Sequence, residues 1–326
     1  MSVSQPRDRL VLLLPVFNDW EAVRLLLDKI DAALAGQPLR PEVLIVDDGS
    51  TEPPPPGFPG RGYVAITAVD VLRLRRNLGH QRAIAVGLVY VYQHVPCRAV
   101  VVMDADGEDR PERIPALIDK FQQEGERRIV FAARAKRLET PLFRFLYQTY
   151  RLIHWTITGD AVRVGNFSVI PFQKLGQLVV VPEIWNHYAA AVIRTRLGYC
   201  TIPVDRGRRL TGSSKMNFIG LLLHGLSAFF VYGEVIGARL LVGIGLMLLL
   251  SGGALAAGIL LHFGRYYEIP PWSTYALSAF VIVLLQAVIL ALVLVFTVIG
   301  SRVNVNFLPI RDCPYFVERV ERVWAS

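Results

Sequence analysis

Cysteine is scarce in this chain. Three occur in 326 residues, Cys97, Cys200 and Cys313, far apart and odd in number. That excludes a disulfide framework and a cysteine-rich metal site, and it makes a reducing cytoplasm the default compartment. Charge is also thin, at 19% against ~25% for ordinary soluble domains. No internal repeat recurs, and the one low-complexity stretch, Pro53 to Pro56, reads as a stiff surface loop. Met1 to Arg9 is polar and lacks the apolar core of a signal peptide. What charge there is leans basic, with 35 Lys and Arg against 27 Asp and Glu, net +8 and a pI near 9.6. A basic surplus suits nucleic acid or an anionic membrane surface. The hydrophobic fraction of 53% and mean hydropathy of +0.40, concentrated after Phe218, favour the membrane. Membrane lipids are therefore expected partners and nucleic acid is not.

What is present begins with strands alternating with helical patterns. Leu10 to Leu14, Val43 to Val46, Asp70 to Arg75, Ala99 to Met103 and Ile129 to Ala133 read as strands, the first stopped by Pro15. Trp20 to Leu34, Gln81 to Tyr92 and Glu112 to Gln123 carry apolar residues at helical spacing. This alternation predicts an α/β fold with a mostly parallel sheet flanked by helices. Arg137 to Asn217 is less regular and ends in a basic stretch, Arg206 to Lys215. Asn217 to Gly237 reads as an interfacial helix. Leu240 to Leu261 has no charged residue, and Tyr275 to Ile299 has only Gln286 as a strongly polar one. Both are long enough to cross a hydrocarbon core of ~30 Å. The expected division is a cytoplasmic catalytic domain over 1–216, an interfacial amphipathic segment over 217–238, a two-helix transmembrane hairpin over 239–300 and a cytoplasmic tail over 301–326. Arg302, Arg311, Arg319 and Arg322 follow the second span, and many basic residues precede the first. The positive-inside rule then puts both termini in the cytoplasm of an inner-membrane protein.

The chemistry-bearing residues fall at predicted strand ends. Val100 to Asp106 reads as a buried strand closing on two carboxylates one residue apart, whose side chains point the same way if the backbone stays extended. Hard oxygen ligands of this kind suit Mg²⁺ or Mn²⁺ carrying a diphosphate. Asp104 and Asp106 are the expected ligands, with Glu108 as a third or as an orienting group. Asp47 and Asp48 close the second strand, where a carboxylate can accept hydrogen bonds from a base or ribose. Asn77 and Gly79 precede a helix whose N-terminus can receive phosphate. Arg206, Arg208, Arg209 and Lys215 suit either anionic lipid or phosphate, and Gly212 to Ser214 supplies a flexible loop with hydroxyl donors.

Pro15-Val16-Phe17-Asn18-Asp19, Val46 to Ser50, Asn77 to Gly87, Met103 to Glu112 and Arg206 to Met216 together resemble, in order and spacing, the motifs of family 2 glycosyltransferases with a GT-A fold. Within that family the chain is similar to the polyprenyl-phosphate glycosyltransferases, the group of the dolichol-phosphate mannose synthases and the bacterial GtrB-like enzymes. The resemblance implies inverting, metal-dependent transfer of one sugar from a nucleotide diphosphate sugar to a polyprenyl phosphate such as undecaprenyl phosphate. It implies nucleotide contacts from Pro15, Phe17, Asp19 and Asp48, and a metal site at Asp104, Asp106 and Glu108. It also implies phosphate contacts from Arg206, Arg209, Ser214 and Lys215, so that Asp104, Asp106, Arg209 and Lys215 carry catalysis. Membrane relatives often assemble, which leaves a homo-oligomer open. The chain departs from the pattern in three places. Glu108 stands for a usual Gln, Gly107 for a usual Leu, and Gly165-Asn166-Phe167-Ser168 for G-D-F-R. The Glu108 and Asn166 departures motivate an alternative from another class, a non-catalytic scaffold or sugar-nucleotide sensor. A processive polysaccharide synthase is a further alternative, but its Q-x-x-R-W motif is missing.

Overall fold

The computed structural model describes residues 8–60, 62–134, 164–211, 231–263, 271–303 and 307–326. They fall into two compact units, the first within Met1–Phe145, Val162–Val231 and Phe307–Ser326, the second within Leu146–Ala161 and Tyr232–Asn306.

The first unit is built on an eight-stranded sheet. Its strands are β1 (Arg9–Val16), β2 (Arg40–Asp47), β3 (Ala68–Leu74), β4 (Ala99–Val102), β5 (Ile129–Arg134), β6 (Val164–Pro171), β7 (Tyr199–Val204) and β8 (Val317–Ala325), in the order β7-β5-β6-β4-β1-β2-β3-β8. β1 pairs in parallel with β2 and β4, β2 with β3, and β5 with β7. β6 is antiparallel to both β4 and β5, and β8 to β3. The helices are α1 (Trp20–Leu34), α2 (His80–His94), α3 (Ile114–Gln123), α4 (Phe172–Leu178) and α5 (Tyr188–Arg194).

Alternation along each strand splits the core in two. Leu10, Leu12 and Leu14 of β1 face one side with α1 and α3, while Val11 and Leu13 face the other with α2, α4 and α5. Burial on both faces is why these strands read as unbroken apolar runs. Pro15 does not stop β1, which runs on to Val16. The Leu13 carbonyl accepts from Met103 on the β4 side and the Val16 carbonyl accepts from Asp48 on the β2 side. Pro15 thus turns its nitrogen to the β4 side, and β4 pairs only as far as Leu13. The missing N–H has no ladder partner to lose.

The stretch expected as a tail holds β8. Arg322 of β8 donates to both carboxylate oxygens of Asp70, at 2.8 and 3.0 Å.

In the second unit, α6 (Gly233–Phe263) and α7 (Pro271–Val303) pack on each other as a hairpin. Gly237 near the start of α6 lies against Val295 near the end of α7. Val235–Ala254 and Tyr275–Thr297 are long and apolar enough to cross a membrane. Most of the expected interfacial segment lies outside the described residues.

Candidate active site

The carboxyl ends of β1, β2 and β4 converge, and the loops leaving them are laced together. Asn18, with φ +50°, donates its N–H to Ser50 Oγ at 2.9 Å and its Nδ2 to Thr51 Oγ1 at 2.9 Å. Its Oδ1 accepts the N–H groups of Thr51 and Glu52 at 2.9 and 3.1 Å. Asn18 was not among the residues singled out by sequence. Its tolerance of the left-handed region was the available signal. Beside it, Pro15 is buried and Phe17 is 40% exposed, an aromatic face open to solvent at the sheet edge.

Asp47 and Asp48 lie inside the structure rather than in the open cleft, each 2% exposed. Asp47 accepts the Ser50 N–H at 2.9 Å and lies 3.6 Å from the Arg73 guanidinium. Asp48 accepts the N–H groups of Leu78 and Gly79, one on each oxygen, at 2.7 and 2.8 Å. Burial lifts its carboxyl from 3.8 to about 6, against the opposing pull of those two donors. Gly49 makes the join possible. At φ +68°, a Cβ there would stand 2.6 Å from the Arg76 carbonyl carbon. Asp48 thereby fixes the segment carrying Asn77, which is exposed, and Gly79, which is half-buried.

The acidic loop is not the extended segment expected. β4 ends at Val102, and Ala105 and Asp106 lie in a turn, so strand alternation does not align Asp104 with Asp106. Each is instead held by its own partners, local and distant. The Asp104 N–H donates to Asp109 at 2.9 Å, and Asn166 Nδ2 donates to Asp104 Oδ1 at 3.0 Å. Asp106 accepts from Glu108 N–H at 3.0 Å and from Arg209 Nη1 at 3.4 Å. Burial, and then the nearby Asp104 charge, push the Asp106 carboxyl above its usual range despite Arg209 and Arg206.

The segment 206–211 clasps this loop. Gly207 N–H donates to the Glu108 carbonyl at 2.8 Å, and Leu210 N–H to the Asp106 carbonyl at 2.9 Å. Arg209 Nη2 donates to Asp19 at 2.6 Å, so one guanidinium joins the β1 and β4 loops. Thr211 Oγ1 also reaches Asp19, at 3.3 Å. Glu108 pairs with Arg206. Its carboxylate is therefore engaged by a cation of the protein. Among the described residues, no three His, Cys, Asp or Glu side chains gather closely enough to hold a metal ion. Ser214 and Lys215 lie outside the described residues.

Three comparisons bear on this geometry. Residues 12–179 match the family described as Glycosyl transferase family 2. Along nearly the whole chain there is similarity to undecaprenyl-phosphate 4-deoxy-4-formamido-L-arabinose transferase of Klebsiella pneumoniae strain 342, 25% identical over 97% of this chain and 95% of that one. The Yersinia pestis (strain Pestoides F) protein of the same name is 28% identical over 44% of this chain and 42% of its own. Among solved structures, glucosyl-3-phosphoglycerate synthase from Mycobacterium tuberculosis, in complex with Mn²⁺, UDP-glucose and phosphoglyceric acid, superposes with TM-score 0.50. It is 15% identical, with 71% of this chain and 80% of that one covered. That likeness establishes the GT-A architecture of the sheet and its helices.

Proposed function

The chain belongs to glycosyl transferase family 2, and from that premise we propose that it moves one sugar from a nucleotide diphosphate sugar onto undecaprenyl phosphate, with inversion at the anomeric carbon. As a glycosyltransferase it is an enzyme, so the scaffold alternative falls away. The observation that carries the proposal is the full-length similarity to an undecaprenyl-phosphate sugar transferase. The Asp19–Arg209–Asp106 junction at the sheet edge and two helices able to span a membrane support it.

The donor set fits a divalent ion. Mg²⁺ and Mn²⁺ are commonly held by one or two carboxylates together with substrate phosphates, not by a complete protein cage. Asp104 and Asp106 would hold it, and Glu108 would not, being paired with Arg206. Once bound, the ion would neutralise charge developing on the leaving diphosphate. Arg209 adds fixed positive charge on the same side. It already stands between Asp19 and Asp106, and so is oriented before substrate arrives. Phe17 offers an open ring against which a base can lie.

In the reaction an oxygen of the lipid phosphate forms a bond to the anomeric carbon from the face opposite the diphosphate. The carbon–oxygen bond to the diphosphate breaks, and the nucleoside diphosphate leaves with the electron pair. A phosphate is ionised at neutral pH, so the chain needs no carboxylate at Asn166 to deprotonate it. Positioning then supplies most of the acceleration. Arg302, Arg311, Arg319 and Arg322 after the second span argue for cytoplasmic termini.

The test is transfer from a panel of radiolabelled nucleotide sugars to undecaprenyl phosphate by the purified full chain, with and without EDTA. A labelled lipid formed from one donor only when Mn²⁺ or Mg²⁺ is present is expected. Folded protein that forms no product from any donor would refute the proposal.

A further inference from the structure

A run of buried polar side chains leads from α5 to the acidic loop. The Tyr188 N–H donates to Gln81 Oε1 at 2.7 Å. Gln81 Nε2 donates to Asn166 Oδ1 at 3.0 Å, and Asn166 Nδ2 donates to Asp104 Oδ1 at 3.0 Å. Gln81 is 7% exposed and Asn166 9%. The fully buried Ser168 hydroxyl donates to the Asn166 carbonyl at 2.8 Å and lies 2.8 Å from Tyr188 Oη, holding Asn166 from the backbone side.

The direction of this run is forced. A backbone N–H only donates, so Gln81 turns its carbonyl to Tyr188 and its NH₂ to Asn166. Asn166 in turn presents its carbonyl to Gln81 and its NH₂ to Asp104. An aspartate at 166 could still accept from Gln81, but it would set a second carboxylate against Asp104 in a buried site. We infer that Gln81 and Asn166 are positioning residues whose amide polarity, set by Tyr188 N–H, aims Asp104 at the donor diphosphate and its divalent ion. This rests on the role of Asp104 proposed above.

The experiment measures Mn²⁺ affinity by electron paramagnetic resonance on the full chain in detergent, with inorganic pyrophosphate as the diphosphate probe. Transfer assays and thermal unfolding follow on the same samples. Gln81→Glu still accepts from Tyr188 but offers Asn166 no donor, so Asn166 turns its carbonyl to Asp104. Affinity is expected to fall about 10- to 100-fold, as for other groups that orient metal ligands. In the Asn166→Ala background the same change should alter affinity by less than about twofold, because the link is already cut. Gln81→Met keeps the bulk, removes both contacts and remains informative if Gln81→Glu does not fold. It should lose as much affinity as Asn166→Ala, whereas a packing role predicts little change, since Met fills the same space. Equal effects of Gln81→Glu in both backgrounds, or a Gln81→Met chain that binds as the wild type does, would overturn the inference. A wild-type chain that binds Mn²⁺ with pyrophosphate but transfers no sugar would sink the proposed function alone, and the affinity cycle would still decide this point.

Discussion

Gly107 carries a prediction that joins backbone geometry to the reaction. It stands between Asp106 and Glu108 with φ +82°, and a Cβ built there would lie 2.4 Å from Leu210 Cγ and 2.7 Å from Leu210 Cδ1. The two segments cannot separate without losing the Gly207 N–H bond to Glu108 and the Leu210 N–H bond to Asp106. Gly107→Ala therefore meets two penalties. Holding an L-residue at positive φ costs about 1–2 kcal/mol, and the overlap with Leu210 adds about 1–3 kcal/mol. The sum of roughly 2–5 kcal/mol corresponds to an apparent Tm lowered by roughly 5–15 °C. Leu210→Ala alone should cost about 1 kcal/mol, because Leu210 is only half-buried. Combined with Gly107→Ala it removes the overlap and leaves the φ strain, so the double variant should be more stable than Gly107→Ala alone. Arg209 precedes Leu210, so transfer should fall in the single variant and partly recover in the double. The assay is thermal unfolding of the full chain in detergent at one scan rate, paired with initial transfer rates. A Gly107→Ala protein melting within about 1 °C of wild type, or a double variant no better than the single, would refute the reasoning.

Arg209→Lys keeps the charge but replaces a fork that reaches both Asp19 and Asp106 with a single point. Losing one contact at this partial exposure costs roughly 1–2 kcal/mol, so kcat/KM for transfer should fall about 5- to 30-fold; an unchanged value would show that bridging is irrelevant. Glu108→Gln breaks an ion pair of 29% and 43% exposed side chains, worth about 0–1 kcal/mol, so turnover should change less than about fivefold. A loss beyond about tenfold that excess Mn²⁺ repairs would instead restore Glu108 as a metal ligand. Asp48 has its carboxyl raised by burial from 3.8 to about 6, so the folded chain holds that proton more tightly than the unfolded one. The resulting stability is complete below the unfolded value and is lost as pH rises through the folded one. The Asp48 contribution to apparent Tm should fall between about pH 4 and about pH 6, so the difference between wild type and Asp48→Asn should change across that range; parallel curves for the two proteins would contradict the assignment.

The parts of this molecule that its sequence declares are those whose burial is local and regular. α1 runs from Trp20 to Leu34 as its periodicity predicts, and β1, β2 and β4 carry the unbroken apolar runs Leu10 to Val16, Val43 to Val46 and Ala99 to Val102 because both faces are covered there. β8 is silent for a physical reason. In Val317-Glu-Arg-Val-Glu-Arg-Val the apolar residue returns every third position, which matches neither the two-residue period of a half-buried strand nor a helical stripe. It is an edge strand, largely exposed, and pairs with β3 from about 250 residues away. β6 is hidden by Gly165, Asn166 and Ser168, and β7 by Pro203.

The site divides in the same way. Its residue types were legible, and most of the described ones do meet at the carboxyl edge of the sheet. Their relationships were not legible. Asp104 and Asp106 were expected to align through strand alternation. Instead the strand ends before Asp104, Asp106 sits in the turn that follows, and each is held from a distance, Asp104 by Asn166 and Asp106 by Arg209 and the clasp of 206–211. Asn166 read as the loss of a carboxylate, because its meaning depends on Gln81, 85 positions earlier, and on an N–H of Tyr188. In a β4–β6 pair that runs antiparallel from Ala99 opposite Pro171 to Val102 opposite Ser168, continuing the register sets position 104 opposite position 166. An amide there can donate to Asp104 while accepting from Gln81, and a carboxylate cannot. The residue that departs from the family pattern is therefore the one that touches the acidic loop directly.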